Sequence, residues 1–194
     1  MDTPVELIVG LGNPGPTYEM TRHNVGADLV VSLASSHKAQ FKRETKFFGY
    51  TTKIILDKKS IRLLIPNTFM NLSGKSLGAL VHFYQIPPEK ILVVHDELDL
   101  NPGVARFKKG GGHGGHNGLR DIIKSLGNNS DFARLRIGIG HPGNARKVAD
   151  YVLKKASPNE QELINISIVE SLHALPLAIL GSWERAMTKL HSND

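Results

Sequence analysis

The chain has 194 residues, of which 40% are apolar and 22% charged, a balance typical of one soluble globular domain and not of a disordered chain. It contains no cysteine, which excludes a disulfide framework, cysteine-ligated metals and thiol catalysis, and agrees with a cytoplasmic location. The net charge is +6, and residues 101–155 alone carry 11 basic against three acidic side chains. This concentration favours a polyanionic partner such as nucleic acid, although charge alone does not distinguish that partner from an ordinary solvated surface.

Neither a membrane segment nor a signal peptide is predicted. No stretch reaches the run of about 18 apolar residues that a membrane span needs. The first six residues, MDTPVE, lack the basic stretch and the long apolar core of a secretory signal. We therefore expect no membrane partner.

Apolar spacing predicts strands that alternate with helices along the chain. The first half contains a buried strand over 7–11, a helix over about 21–37, a strand pair over 47–56 and 61–66 joined by the charged turn 57–60, and a helix from 71 to 84 stopped by Pro87-Pro88. The second half contains a strand over 91–94 that ends at His95-Asp96, a strand over 104–108, a helix over 118–126, a strand over 132–140, a helix over 158–180 and a short helix over 183–190. This alternation predicts one α/β domain over residues 1–194, with a mostly parallel or mixed sheet. Since polar and glycine-rich clusters follow three of the strands, we expect a ligand at the carboxyl ends of the strands.

The first such cluster is GLGNPG at 10–15, which matches the dinucleotide-binding pattern G-x-G-x-x-G. That site requires a helix to begin inside the pattern, whereas Pro14 and Pro16 flank its last glycine and disfavour helical angles there. We therefore favour a different ligand. No P-loop sequence is present, and no G-x-S-x-G elbow of a serine hydrolase.

Two titratable groups at this edge are candidates for proton transfer. His23 opens the first helix in a polar segment, and histidine is the side chain suited to exchange a proton near neutral pH. Asp96 follows the strand at 91–94, where it could orient an imidazole and stabilise its charged form.

The glycine-rich segment 108–118 offers close backbone approach to a ligand. Its two histidines, His113 and His116, have a spacing that is only weak evidence for a metal. Asn13, Asn71 and Asn117 stand at strand ends or helix starts, where each could cap a turn or bind a peptide group.

Seven stretches resemble the bacterial-type peptidyl-tRNA hydrolases. They lie in the family's order and cover most of residues 7–153. They are GLGNPG at 10–15, YEMTRHNVG at 18–26, PNTFMNLSG at 66–74, HDELDLNPG at 95–103, KGGGHGGHNGL at 109–119, RLRIGIGHPG at 134–143 and VADYVL at 148–153.

The resemblance implies a single α/β domain with a mixed twisted sheet surrounded by helices. It implies hydrolysis of the ester between a peptide and the 3′-terminal ribose of tRNA, which recycles tRNA, with no metal or organic cofactor. The residues that match the family's functional positions are His23 as general base, Asp96 as its partner, Asn13 as the selector of N-blocked substrates, Asn71 and Asn117 as substrate-binding residues, Tyr18 and Phe69 as cleft residues, and Lys108 and Arg136 as cations that grip the 5′-phosphate. The segment from His141 to Tyr151 matches the family's mobile lid.

Two alternatives remain open from the sequence. One is an RNA-binding module of the same fold without turnover. The other is a metal hydrolase that uses His113, His116 and Asp99. If the chain is the hydrolase, the resemblance leads us to expect a cytoplasmic monomer that binds peptidyl-tRNA and has no obligate protein partner.

Overall fold

Seven strands form one mixed sheet in the order β2-β3-β4-β1-β5-β7-β6. The computed structural model describes residues 3–191. Strands β1, β4, β5 and β7 run parallel to one another, while β2, β3 and β6 pair antiparallel with their neighbours. The strands are β1 (Leu7–Gly10), β2 (Lys42–Glu44), β3 (Gly49–Leu56), β4 (Lys59–Pro66), β5 (Ile91–Glu97), β6 (Ala105–Lys109) and β7 (Ala133–Gly138). The predicted α/β fold with a mixed sheet is confirmed.

Helices cover both faces of this sheet. They are α1 (Val25–Ser36), α2 (Ser73–Tyr84), α3 (Asn117–Ser125), α4 (Val148–Val152), α5 (Pro158–Ile179) and α6 (Trp183–His191). Helices α1, α5 and α6 share one apolar core with residues such as Ile8 and Leu92, and α2 and α3 share the other with Leu7 and Val93. Because successive strand residues point to opposite faces, the central strands are apolar throughout.

Two glycines bring α1 into direct contact with the central strands. A Cβ at Gly26 would lie 2.1 Å from the carbonyl oxygen of Val94, and one at Gly10 would lie 2.6 Å from the carbonyl oxygen of Gly26. Only residues without a side chain allow this separation. The start of α1 is therefore fixed against the carboxyl ends of β1 and β5.

The structure differs from the predicted elements where segments are short or irregular. The predicted helix over 21–37 begins as a 3-10 turn at Arg22–Asn24 and becomes α-helical only at Val25. The strand predicted over 91–94 continues to Glu97. The strand β2 and the five-residue α4 were not predicted. Since no α-helix begins within GLGNPG, the structure agrees with the argument against a dinucleotide site there.

Within residues 3–191, α5 is long and apolar enough, by length and composition alone, to cross a membrane, with a mean hydropathy of 1.3 over its most apolar window. In this fold its buried side chains, among them Ile164, Ala174 and Leu175, belong to the core that it shares with α1 and α6. This packing is that of the core helix of a globular domain.

Candidate active site

The side chains of His23 and Asp96 form a close pair at the carboxyl end of β5. His23 lies in the 3-10 turn before α1, and its Nδ1 lies 2.9 Å from Oδ2 and 3.0 Å from Oδ1 of Asp96. Their side chains are 11% and 2% exposed. Because Nδ1 is held by the carboxylate, Nε2 is the imidazole nitrogen left to exchange a proton. The structure thus brings together two residues that are 73 positions apart in the sequence.

His116 is a third member of this cluster; from the sequence it was considered only as a ligand of the alternative metal hydrolase and not as a partner of Asp96. Its Nε2 lies 2.8 Å from Oδ1 of Asp96. Its Nδ1 accepts the backbone N–H groups of Gly118 and Leu119 at 3.1 and 3.3 Å, as the N-cap of α3. A nitrogen that accepts two N–H groups carries no proton, so Nε2 carries it and donates to Asp96. His116 therefore holds the carboxylate in place as a neutral donor.

These contacts set the ionisation of the pair. Burial lowers the pKa of His23, but the charge of Asp96 and the hydrogen bond to it raise that pKa more, so it lies above its ordinary value of 6.5. Burial alone would raise the pKa of Asp96, yet the two imidazoles around it hold that pKa well below its usual range. Burial lowers the pKa of the neighbouring His95 to about 3, so this imidazole stays neutral at physiological pH. The cluster therefore presents a buried carboxylate beside the His23 imidazole, whose pKa that carboxylate raises.

His23, Asp96 and His116 are also the residues whose ligand atoms, all within 4.8 Å of one another, are close enough to share a metal ion. The hydrogen bonds do not fit that use. With its Nδ1 occupied by two N–H donors, His116 would have to lose its remaining proton to ligate through Nε2. The arrangement fits a hydrogen-bonded triad better than a metal site. Nor are His113 and Asp99, the ligands considered from the sequence, members of the cluster.

Two cavities meet at His23. One of about 440 Å³ lies between the end of β5, the glycine-rich loop and α4. The other, of about 200 Å³, is lined by Asn13, Phe69, Asn71 and Leu153. Residues that line both are His23, Asn117, Ala149 and Val152. A substrate could therefore extend to either side of the imidazole.

The three predicted asparagines surround the smaller cavity, and hydrogen bonds orient two of them. Oδ1 of Asn13 accepts the N–H of Met70 at 2.7 Å, which leaves its Nδ2 group available to a ligand. Oδ1 of Asn117 accepts from Arg120 at 3.0 Å with the same consequence. The backbone of Asn13 is in turn held by Asn24, which accepts from its N–H at 2.8 Å and donates to its carbonyl at 2.9 Å. Asn24 was not predicted.

The predicted aromatic residues lie beside the same cavity. The rings of Tyr18 and Phe69 meet edge to face with centroids 6.3 Å apart. Phe69 is 56% exposed, which is unusual for a large apolar side chain and leaves it available to a ligand.

The predicted cations Lys108 and Arg136 lie on the antiparallel strands β6 and β7 and do not line either cavity, although Arg136 pairs at 3.4 Å with Glu97 of the larger cavity. In the register of this pair Lys108 is opposite Arg134, and Arg136 is opposite Arg106. Residues opposite each other or two apart on a strand share a face, so four cations lie on one face of the two strands. Like charges directly opposite each other are destabilising, so this arrangement favours an anionic ligand. Arg134 is buried and donates to the carbonyls of Gly111 and Gly112, which fixes the glycine-rich loop.

The predicted lid contains α4 and the 3-10 turn at Ala145–Lys147, and it covers the larger cavity. Arg22, which precedes His23, connects the catalytic turn to it. The guanidinium donates to the carbonyl of Tyr151 at 3.0 Å, lies 3.8 Å from the centre of the Tyr151 ring and pairs with Glu160 at 3.2 Å. Arg22 thereby connects the turn that carries the imidazole to α4 and to the start of α5.

Known proteins resemble this chain over nearly its whole length. The sequence profile of the family described as peptidyl-tRNA hydrolase matches residues 7–194. A peptidyl-tRNA hydrolase of Vibrio campbellii is 58% identical over 99% of this chain and 98% of its own, and that of Aeromonas hydrophila is 57% identical over 99% and 97%. The crystal structure of peptidyl-tRNA hydrolase from Acinetobacter baumannii superposes with a TM-score of 0.93 at 48% identity, covering 96% of this chain and 94% of its own.

Proposed function

The chain belongs to the peptidyl-tRNA hydrolase family and hydrolyses peptidyl-tRNA, and we propose that His23 and Asp96 carry out this reaction with water as the nucleophile. The observation that supports the assignment is the contact of 2.9 Å between Nδ1 of His23 and the carboxylate, which leaves Nε2 at the junction of two cavities. A general base must lie within hydrogen-bond distance of the proton that it removes, and this position allows a water molecule to lie between the imidazole and a bound ester.

In the proposed reaction Nε2 of His23 removes a proton from water as the oxygen attacks the ester carbonyl. The imidazolium that forms is stabilised by the charge of Asp96, which His116 holds in position. The proton then passes to the 3′-oxygen of the ribose as its bond to the carbonyl carbon breaks. One water is consumed, and a free peptide and a tRNA with a 3′-hydroxyl are released.

The asparagine side chains supply donors to the substrate. The Nδ2 groups of Asn13 and Asn117 are the atoms their other contacts leave available, and amide donors stabilise the negative oxygen that develops on the carbonyl. We propose that Asn71, with Phe69 and Tyr18, binds the peptide beside them. A substrate with a charged α-amine would lose its hydration in this site without a charged partner, so Asn13 favours N-blocked substrates.

The cations of strands β6 and β7 bind the tRNA in this proposal. We assign Lys108 and Arg136 to the 5′-phosphate, because phosphate contacts by Lys and Arg position a nucleic acid without reading its sequence. We propose a monomer without a metal, an organic cofactor or an obligate protein partner, working in the cytoplasm where translation takes place. We also propose that residues 1–194 form a single domain and that the segment from His141 to Tyr151 is a mobile lid.

Release of peptide from peptidyl-tRNA tests the catalytic assignment. We expect His23→Ala to lose at least a thousandfold in kcat/KM, while His82→Ala, an exposed histidine on α2, keeps wild-type activity. Wild-type activity is expected to persist in EDTA. Full activity of His23→Ala would refute the assignment, and loss in EDTA restored by one divalent ion would favour the metal hydrolase.

A comparison of two substrates tests the phosphate contacts. Lys108→Ala combined with Arg136→Ala should raise KM for full-length peptidyl-tRNA at least tenfold, with little change for a short peptidyl ester that lacks the 5′-phosphate. Equal effects on both substrates would contradict the assignment. The matched control is Lys38→Ala combined with Lys124→Ala, which removes two exposed cations elsewhere.

A further inference from the structure

A second concave region lies over strands β2, β3 and β4 and reaches the end of the sheet opposite the active site. Two adjoining cavities of about 570 and 430 Å³ share Lys53, Arg62 and Tyr84 in their walls. Glu6 and Lys90, which immediately precede β1 and β5, line the first of them. Since β5 has seven residues that rise about 3.3 Å each, roughly 20 Å of sheet separates the Lys90 end of this region from Asp96.

Cations on adjacent strands line this region. Lys53 of β3 is directly opposite Arg62 of β4, and Lys42 of β2 is opposite Thr51 of β3. Thr51 and Lys53 are two residues apart, so all these side chains share one face. Adjacent strands are about 4.8 Å apart, and the three cations therefore form a row across β2, β3 and β4. We call this row, with Lys59 and Lys90 at its rim and Tyr84 in its wall, the cationic groove.

Carboxylates do not neutralise the row. Glu6 pairs with Lys90 at 2.6 Å. Glu44 accepts from Thr51 and lies 3.8 Å from Lys46. Within residues 3–191, the ion pairs do not include Lys42, Lys53, Lys59 or Arg62. Because like charges on directly opposite strand positions repel, Lys53 and Arg62 cost stability unless an anion lies between them.

An aromatic stack divides the groove into its two cavities. The guanidinium of Arg62 lies 3.4 Å from the centre of the Tyr84 ring, and Tyr84 packs with Phe47 and Phe83 at centroid distances of 5.7 and 4.8 Å. The Tyr84 ring thus lies against one side of the guanidinium. A planar cation of this kind stacks on nucleobases and also binds phosphate.

We propose that the cationic groove binds single-stranded RNA, separately from the active site and from Lys108 and Arg136. The phosphates lie along Lys42, Lys53 and Arg62, and a base stacks on the outer plane of the Arg62 guanidinium. A row of cations tracks a chain of phosphates better than a single anion, and stacking platforms beside such rows are the common means of binding single strands. The concave shape fits a nucleic acid strand better than a flat anionic membrane. The proposal does not rest on the hydrolytic function.

Binding of a fluorescein-labelled oligouridine 12-mer, measured by anisotropy at low salt, tests the proposal. The Lys108→Ala, Arg136→Ala background removes the other cationic surface, so that the remaining affinity reports the groove. Adding Lys53→Gln and Arg62→Gln should weaken binding at least tenfold and reduce the slope of log K against log salt by about 1.4, since each lost phosphate contact removes about 0.7 for single strands. Adding Lys38→Gln and Lys124→Gln instead should leave the affinity and the slope unchanged.

Lys42→Gln with Lys59→Gln provides a second variant, because both side chains are exposed and their loss leaves the packing intact. Hydrolysis of a short peptidyl ester, assayed with the groove substitutions in the otherwise wild-type chain, should be unchanged and shows that the fold and active site are intact. A change in oligouridine affinity of less than twofold in both groove variants would overturn the proposal. So would loss of binding to phosphatidylglycerol vesicles with unchanged binding to RNA, which would identify a membrane surface.

Discussion

Asp96→Asn tests the electrostatic part of the mechanism without changing the shape of the site. The carboxylate oxygen lies 2.9 Å from Nδ1 of His23, and both side chains are almost completely buried. Their charges are spread over a ring and a carboxylate, and at a separation of about 4 Å in an effective dielectric of about 20 they attract by about 4 kcal/mol. That attraction exists only while the imidazole is charged, as it is during ester cleavage. At about 1.4 kcal/mol for each tenfold change in rate, the variant should lose up to roughly a thousandfold in kcat/KM.

The pH dependence gives the same variant a second measurement. The free imidazole must be neutral to accept a proton, so wild-type kcat/KM falls as pH drops through the pKa of His23, which lies above 6.5. Without the charge of Asp96, burial acts unopposed and lowers that pKa, so the acid limb of the profile moves to lower pH. Asp99→Asn, an exposed carboxylate in the wall of the same cavity, is the control and should leave rate and profile unchanged. More than a tenth of wild-type kcat/KM in Asp96→Asn together with an unmoved acid limb would refute the reasoning.

Three further substitutions test the surroundings of the pair. His116→Ala removes a donor from the carboxylate, so the pKa of His23 should rise further and the acid limb of kcat/KM should move to higher pH; an unmoved limb would contradict the role of His116. Gly26→Ala places a Cβ 2.1 Å from a backbone carbonyl of β5 and should lower the free energy of unfolding in urea by about 2 kcal/mol or more, whereas Gly78→Ala, with 3.5 Å to its nearest neighbour, should not. Burial raises the pKa of Asp28 from 3.8 to about 6, so its charged form destabilises the fold at pH 7. Asp28→Asn should therefore stabilise at pH 7 by at most about 3 kcal/mol, and the gain should shrink as pH falls and vanish at about pH 3, below the unfolded-state pKa of 3.8, where the carboxyl is neutral in both states.

The sequence predicted that His23 and Asp96 lie at a common edge of the sheet, because each comes after a segment with a clear strand pattern. Short apolar runs such as LIVG and ILVV predict buried strands, and ligands of α/β proteins bind where such strands end. The elements it missed have no such signal. Strand β2 is Lys-Arg-Glu and forms because β3 offers it a pairing partner, while the five residues of α4 are too few to show helical periodicity.

The contacts that complete the site could not be predicted, because they join distant segments. His116 lies in a glycine-rich loop whose path is set by the buried Arg134, and only that path brings its Nε2 to Asp96. Arg22 meets Glu160 across 138 positions of sequence. Histidine and arginine have many roles in proteins, and residue type alone does not indicate which partner the fold will supply. The order of strands and polar clusters in the sequence predicted where the site lies, whereas its hydrogen bonds depend on tertiary packing.

Charge counted along the sequence also fails to show which charged side chains share a surface, and this affects the prediction of RNA binding. Counting along the chain directs attention to residues 101–155, where basic residues outnumber acidic ones by eight, and the pair assigned to tRNA lies there. Residues 1–100 hold 11 basic and 10 acidic side chains, so the same count predicts nothing for them. Yet the sheet gathers Lys42, Lys53 and Arg62 from three strands onto one face. The two acids in the same walls, Glu6 and Glu44, pair with Lys90 and Lys46 instead. A local field depends on which side chains share a surface, and strand pairing decides this where sequence proximity does not. A near-neutral segment can therefore carry a second cationic surface, and the oligouridine experiment measures whether it does.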